Sequence, residues 1–358
     1  MRSMQIINWG EPLELRESET PKPAGSEVLV RVKSCGICHS DLHIWEGFFD
    51  LGNGQKFPIE DRGVHLPFTL GHEAAGIVVA MGPEAKGVEV GDSYAIYPWI
   101  NCGECEPCEN GLTQICDAPK IIGTRVNGAY SDYVLVPDAR FLVEHTGIST
   151  DMACTLGCAG LTTFSAIRKI VPENLTRQDT VVVIGAGGLG LTAVRILKHL
   201  SKARVVVSDI EPAKRTAAVE MGADMTVDPT DEVSIENVRK AASLGNNRGV
   251  AATLDFVGLP QTMNFGLSLL RKGGHHIHVG LFGGAHSISL PSVAFRMLRI
   301  SGSYVGTLEE FRELVKFVQN GMVLSIPVTT RPLEQAVEAL NDLKSGHVVG
   351  RLVLNPET

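Results

Sequence analysis

Two textures of apolar and polar positions divide the chain. Up to about residue 145, short β-type runs such as residues 27–32 and 74–79 are separated by Gly, Pro and polar turns, which predicts an irregular β-rich region. Beyond Cys158 the apolar runs are continuous and alternate with helical periodicity: a strand over 181–184, a helix over 189–200, a strand over 204–208. Further strands are predicted over 252–257 and 275–279, carrying the pattern to about residue 300. A strand covered on both faces has no polar side to alternate with, so these runs predict an α/β region with a doubly wound parallel sheet. The remainder predicts helices over 308–320 and 333–344 and a closing strand over 348–354. Residues 46–67, rich in Gly, Asp and Phe, predict a long loop of the kind that is often functional.

Composition narrows the class. The chain has 358 residues, 44% hydrophobic and 20% charged, which suits a globular protein of about two domains. Its formal charge of −8 argues against bulk attraction to nucleic acid or an anionic membrane. No apolar run approaches the roughly 18–20 residues of a membrane span. The first ten residues lack a long apolar stretch and a small-residue cleavage site, so the expectation is a cytosolic protein whose eight cysteines are thiols.

The grouping of those cysteines points to metal. Cys102, Cys105, Cys108 and Cys116 follow C-x2-C-x2-C-x7-C, and four thiolates so close in sequence can enclose one tetrahedral zinc with no open position. An iron–sulfur cluster is the chemical rival, and buried or disulfide-bonded cysteine the bland alternative. Cys38 and the pair His72-Glu73 offer further ligands near polar partners; each motif is weak by itself, and together with the four-cysteine cluster they become specific.

A second chemistry sits where the texture changes. The strand at 181–184 runs into Gly185-Ala186-Gly187-Gly188-Leu189-Gly190, whose G-x-G-x-x-G pattern permits a tight turn and close approach of a pyrophosphate to a helix N-terminus. The next strand ends at Asp209, where a carboxylate can accept bonds from an adenosine ribose and repels the 2′-phosphate of NADP. NAD is therefore the expected cofactor.

Taken in order, residues 36–41, 71–76, the cysteine cluster, residues 157–162, the glycine loop and Val349-Gly350-Arg351 resemble the zinc-dependent alcohol dehydrogenases of the medium-chain dehydrogenase/reductase family over essentially the whole chain. The resemblance implies a Rossmann domain over 159–300 inserted in a β-rich, GroES-like catalytic domain over 1–158, with a zinc lobe at about 95–118 and a C-terminal return over 301–358. It implies two zinc ions per chain: a catalytic one on Cys38, His72 and Cys158, with Glu73 as an occasional ligand, and a structural one on the four-cysteine cluster. Asp41 would orient the ligand imidazole, whereas Cys35 and Cys154 match no ligand position and read as buried thiols. Ser40 and His43 would relay the alcohol's proton to solvent. His39 and Arg351 would hold the pyrophosphate, Lys214 the adenosine ribose, and Thr162 would border the nicotinamide. Trp45 and Trp99 match cleft-lining positions, although packed aromatics are an equal reading, and Phe48 and Phe49 could form the outer wall. The implied reaction is reversible hydride transfer from a primary or secondary alcohol to NAD, giving an aldehyde or ketone. Polyol oxidation and a catalytically silent nucleotide-binding protein are the alternatives. Residues 288–304 resemble the edge through which family members pair, implying a homodimer or homotetramer.

Overall fold

The computed structural model describes residues 1–170, 175–242 and 249–358. Among the described residues, one six-stranded sheet is parallel at every pairing. Its order is Met225–Val227, Arg204–Ser208, Thr180–Ile184, Val250–Asp255, Leu270–His278 and Arg299–Gly302. Thr180–Ile184 comes first in the chain yet lies mid-sheet, so the winding reverses beside it and opens a crevice at the C-terminal strand ends. Its residues are all buried, which is why the run is continuously apolar.

A second, seven-stranded sheet carries Leu142–Glu144, Ser93–Ile96, Glu73–Met81, Val28–Gly36, Arg351–Asn355 and Val328–Pro332 in that order, with Tyr133–Val136 also paired to Val28–Gly36. Arg351–Asn355 runs antiparallel to Val28–Gly36, with Leu354 opposite Cys35. The last strand thus completes a sheet that Val28–Gly36 started. The connector between the sheets is a helical run, Thr150–Thr155 and Leu161–Arg168, interrupted by a π-turn at Leu156–Gly160 that contains Cys158. Such bulges widen one turn of a helix and recur at functional sites. Apolar packing is continuous from Val30 and Val78 through Leu156 and Phe164 to Val183, Leu191 and Leu314.

Several boundaries differ from expectation for local reasons. The strand predicted over 252–257 is Val250–Asp255, because the Asp255 carboxylate accepts the N–H groups of Val257 and Gly258 and turns the chain. The closing strand is Arg351–Asn355, starting only after Gly350, whose φ of +85° breaks extended pairing. The segment 46–67 is not a loop throughout. It forms a hairpin, Phe48–Gly52 with Gln55–Pro58, followed by a 3-10 turn at Glu60–Arg62. Asn53 and Gly54, with φ of 53° and 77°, make the two-residue turn, and Asn-Gly is the dipeptide that such left-handed pairs favour. The hairpin leans on the parallel-sheet side: a Cβ on Gly52 would meet the backbone of Gly284 and Ala285, and one on Gly283 would meet Asp50.

Candidate active site

The C-terminal end of Val28–Gly36 feeds directly into the helix His39–Glu46, whose N-cap is Cys38. Asp41, in the first turn, accepts the Cys38 N–H at 2.9 Å. The same fully buried carboxylate meets His72 Nδ1 at 3.1 Å and accepts the Tyr130 hydroxyl at 3.1 Å. With Nδ1–H donated to Asp41, the free lone pair of His72 is on Nε2, and that atom is buried without a hydrogen-bond partner. His72 precedes the strand Glu73–Met81, and Cys158 comes from the π-turn. One ligand atom from each of Cys38, His72, Glu73 and Cys158 lies within 4.8 Å of the others.

Charge is concentrated here. The Cys158 hydrogen bond, opposed by burial and helped by His72, holds the Cys38 thiol well below its ordinary value. Cys158 is pushed well up by the same bond and by burial. Burial opposes a charge on His72, but Asp41 and Cys38 outweigh it and raise its pKa. Burial pushes the Glu73 carboxyl up to about 7 although Arg351 opposes it. Two thiols and an imidazole with an unpaired Nε2 are the donor set that zinc prefers, and a dication would favour the deprotonated sulfurs.

Arg351 joins this cluster to the glycine loop. It is buried, ion-paired to Glu73, and its Nε has no partner. A Cβ on Gly188 would strike the Arg351 side chain, which places the guanidinium against the loop. Gly185 turns the loop with φ of +90°, and a Cβ on Gly190 would fall 1.8 Å from the Gly185 carbonyl oxygen. Above Gly187, at the N-cap of helix Gly188–Leu200, nothing lies within 4 Å of a built Cβ, which leaves space for a phosphate at the helix N-terminus. Leu189 follows in the first turn, its carbonyl accepting the Thr163 hydroxyl. Thr162 keeps a buried hydroxyl without a partner. Asp209 follows the strand Arg204–Ser208, its carboxylate accepting the N–H of Ala186 in the loop at 2.7 Å and of Glu211 at 2.9 Å. Burial lowers His39 to about 4, and Arg351, His43 and Lys214 act in the same direction. The unpaired donors and the open helix end fit a dinucleotide.

Of the expected cleft residues, Trp99 packs against His72 at 5.8 Å between ring centroids and donates its indole N–H to the Gly157 carbonyl. Trp45 does not share that setting. Its indole N–H goes to the Glu11 carbonyl and Lys344 covers its ring, so its recorded contacts are those of packing between the helix His39–Glu46 and the C-terminal helix Ala336–Lys344. Ser40 and His43 lie on His39–Glu46; burial lowers the His43 pKa, its Nε2 is buried and unpartnered, and its ring rests on Phe49 at 5.0 Å. Phe48, next along the strand, points away and carries Lys56 over its ring. Cys35 and Cys154 are fully buried thiols that burial raises well above their ordinary value. Three residues at the site had no signal in spacing: Tyr304, edge-on to Trp99 at 5.7 Å; Phe282, 4.9 Å from His39; and Arg62, over the Phe49 ring.

The four-cysteine cluster stands apart on a short helical turn at Glu106–Glu109 and the segments around it. Its sulfur separations include 3.5 Å for Cys102–Cys116, 3.9 Å for Cys105–Cys116 and 4.0 Å for Cys102–Cys108. Zinc–sulfur bonds of about 2.3 Å in a tetrahedron put sulfurs about 3.8 Å apart, so the lobe has the dimensions of a closed zinc site.

Residues 24–146 match the family described as Alcohol dehydrogenase GroES-like domain, and residues 188–320 match Zinc-binding dehydrogenase. An NAD-dependent alcohol dehydrogenase of Sulfurisphaera tokodaii is 36% identical over 357 residues, covering 99% of this chain and 100% of its own. D-arabinose 1-dehydrogenase (NADP(+)) of Saccharolobus solfataricus is 33% identical, covering 98% of this chain and 96% of its own. The solved alcohol dehydrogenase of Aeropyrum pernix superposes with a TM-score of 0.89 at 29% identity, covering 99% of this chain and 100% of that one. With its catalytic-type cluster, its glycine loop and these full-length likenesses, the chain belongs to the zinc-dependent alcohol dehydrogenases of the medium-chain dehydrogenase/reductase family.

Proposed function

We propose that the protein oxidises a primary or secondary alcohol, reversibly, to an aldehyde or ketone with NAD as hydride acceptor. The observation that carries this reading is the convergence of Cys38, His72 and Cys158, with an unpaired His72 Nε2, beside a glycine loop that Arg351 touches. A zinc ion there would supply Lewis acidity that makes the alcohol's hydroxyl easy to deprotonate, and the nicotinamide would take the hydride.

The chain's own groups do the rest. Asp41 holds His72 in one tautomer and orientation. Glu73 approaches as an additional carboxylate and keeps Arg351 in place for the pyrophosphate, with His39 beside it. Thr162 offers its free hydroxyl to the nicotinamide end, Lys214 and Asp209 the ribose end. Ser40 receives the alcohol's proton and His43 passes it to solvent. Because burial lowers the His43 pKa, the imidazole is neutral at pH 7 and ready to accept; alcohol oxidation falls as acid protonates it, and His43→Ala removes that acid limb from the pH–rate profile. Trp99, Tyr304 and Phe49 give the cleft an aromatic wall, which suits an apolar substituent better than a polyol.

The four-cysteine lobe holds the second zinc, and the chain divides at about 158 and 300, the return falling just after Gly302 where the parallel sheet ends. That edge strand adjoins exposed Leu290, Phe295 and Met297, which supports a homodimer or homotetramer. No helix among the described residues is long and apolar enough to cross a membrane, and the free cysteines suit the cytosol.

Turnover with a panel of alcohols graded in length and branching, read as NADH absorbance in the wild type and in Cys158→Ser, tests the reaction. Activity equal in the two rejects it. Asp209→Gly tests the cofactor: loss of a bond to a charged group is worth about 1.5–3 kcal/mol, so the kcat/KM ratio of NAD to NADP falls by about 10-fold or more, and an unchanged ratio rejects the assignment.

A further inference from the structure

A third cluster of ligating side chains lies outside both cysteine-containing sites. The strands Val250–Asp255 and Leu270–His278 pair in parallel with Thr253 opposite His276 and Asp255 opposite His278. Residues two apart on a strand share a face, so these four polar side chains form one patch on the fourth and fifth strands of the sheet. Around it pack Val182, Ile184, Leu267 and Leu269. Asp255 and His276 are fully buried, whereas the His278 side chain is 39% exposed. One ligand atom from each of Asp255, His276 and His278 lies within 4.8 Å of the other two.

Two nitrogens in this patch are left without a partner. His276 Nδ1 shares a hydrogen bond with the Thr253 hydroxyl at 2.8 Å, and its Nε2 is buried and unpaired. His278 Nδ1 is also buried and unpaired, 3.9 Å from Asp255 Oδ2, beyond hydrogen-bond reach. Leaving buried polar atoms unmatched is costly, and two of them in one patch with a carboxylate call for a partner. The carboxylate is already oriented, by the N–H groups of Val257 and Gly258 on Oδ1 and by the Thr262 hydroxyl on Oδ2. Thr253 fixes the His276 ring in the same way. Groups that hold a ligand by its other atoms are what a metal site requires around it.

We propose that Asp255, His276 and His278 form a third metal site, for one divalent transition-metal ion. Two imidazoles and one carboxylate suit zinc, cobalt or nickel, whereas magnesium and calcium prefer oxygen alone. Burial, reinforced by His278, His275 and His286, lowers His276 to about 4, so its lone pair is free at neutral pH. An ion here ties together the ends of two adjacent interior strands next to the nucleotide crevice; Val257, held by Asp255, is the residue a Cβ on Gly185 would strike.

The test uses the full chain, as purified, exposed to excess cobalt(II) alone and then desalted. Total zinc plus cobalt per chain is measured together with the cobalt absorption spectrum, in the wild type, His276→Gln and His278→Gln. The expected result is one metal fewer per chain in each variant, with the difference carried by cobalt that shows visible d–d bands and no sulfur-to-cobalt charge-transfer band. Equal metal content in wild type and variant overturns the site, as does a sulfur charge-transfer band in the difference spectrum. If the buried His276→Gln chain does not fold, the part-exposed His278→Gln variant decides. The inference does not depend on how many zinc ions the cysteine sites hold, because it is read as a difference between two chains that share them; loss of alcohol turnover in both would count against the proposed reaction and leave this count intact.

Discussion

The two cysteine clusters are built from the same soft ligands and differ in almost everything else. Cys102, Cys105, Cys108 and Cys116 come from one short stretch, three half-buried and Cys116 buried, and the ligand set is sulfur alone. Cys38, His72 and Cys158 come from a helix N-cap, the residue before a strand and a π-turn, and all are buried. The lobe carries its own geometry in its spacing. The buried cluster borrows its geometry from two sheets, and with it come Asp41 and Tyr130 behind the imidazole, Glu73 and Arg351 toward the nucleotide loop, and Trp99 and Tyr304 toward the cleft. A closed sulfur site can order a lobe, while a site meant for chemistry needs an open vertex and neighbours of different kinds, which a single loop cannot supply.

That contrast predicts a graded set of outcomes. Cys38→Ser should lower kcat/KM for alcohol oxidation by about 10³-fold or more, since a metal contributes several kcal/mol to such a step, with NAD affinity from fluorescence quenching little changed. Retained turnover would make the buried cluster as passive as the lobe. Asp41→Asn keeps every ligand and disturbs only the His72 tautomer; a loss of about 10–100-fold in metal affinity or activity is expected, measured as zinc retained against a chelator. Tyr130→Phe removes one hydrogen bond to Asp41, worth about 1 kcal/mol, so activity should fall only about fivefold. Should Tyr130→Phe cost as much as Asp41→Asn, the hydroxyl acts on more than Asp41's position. Smallest in turnover is Cys105→Ser: kcat/KM within about twofold of wild type, one zinc fewer per chain, and a melting temperature lower by several degrees, each kcal/mol being worth about 2–4 °C or less in a chain of this size. A Cys105→Ser chain as inactive as Cys38→Ser would show that the two clusters are not independent.

Legibility in the sequence followed the range of the interactions. The strands Thr180–Ile184 and Arg204–Ser208 and the helix Gly188–Leu200 stood out because burial on both faces of a sheet forces continuous apolar runs. The hairpin Phe48–Pro58 did not, since its strands are largely exposed and have no apolar face to alternate; its one clear mark was Asn53-Gly54. Trp45 and Trp99 were indistinguishable as letters, and only packing turned one to Glu11 and Lys344 and the other to His72.

By itself the sequence determined what is local: the closed spacing of four cysteines, the glycine turn at a helix start, the acidic residue after the second strand, and the apolar runs that make a parallel sheet. Tertiary structure decided what is shared between distant segments. Strand register set Asp255 beside His276 and His278, the last strand returning to the seven-stranded sheet set Arg351 between Glu73 and the glycine loop, and the π-turn brought Cys158 to Cys38. The reason is physical: spacing along the chain constrains atoms only over the few residues that a turn or helix can span, and contacts beyond that reach exist only once burial of apolar surface has offset the entropy of closing the chain between them.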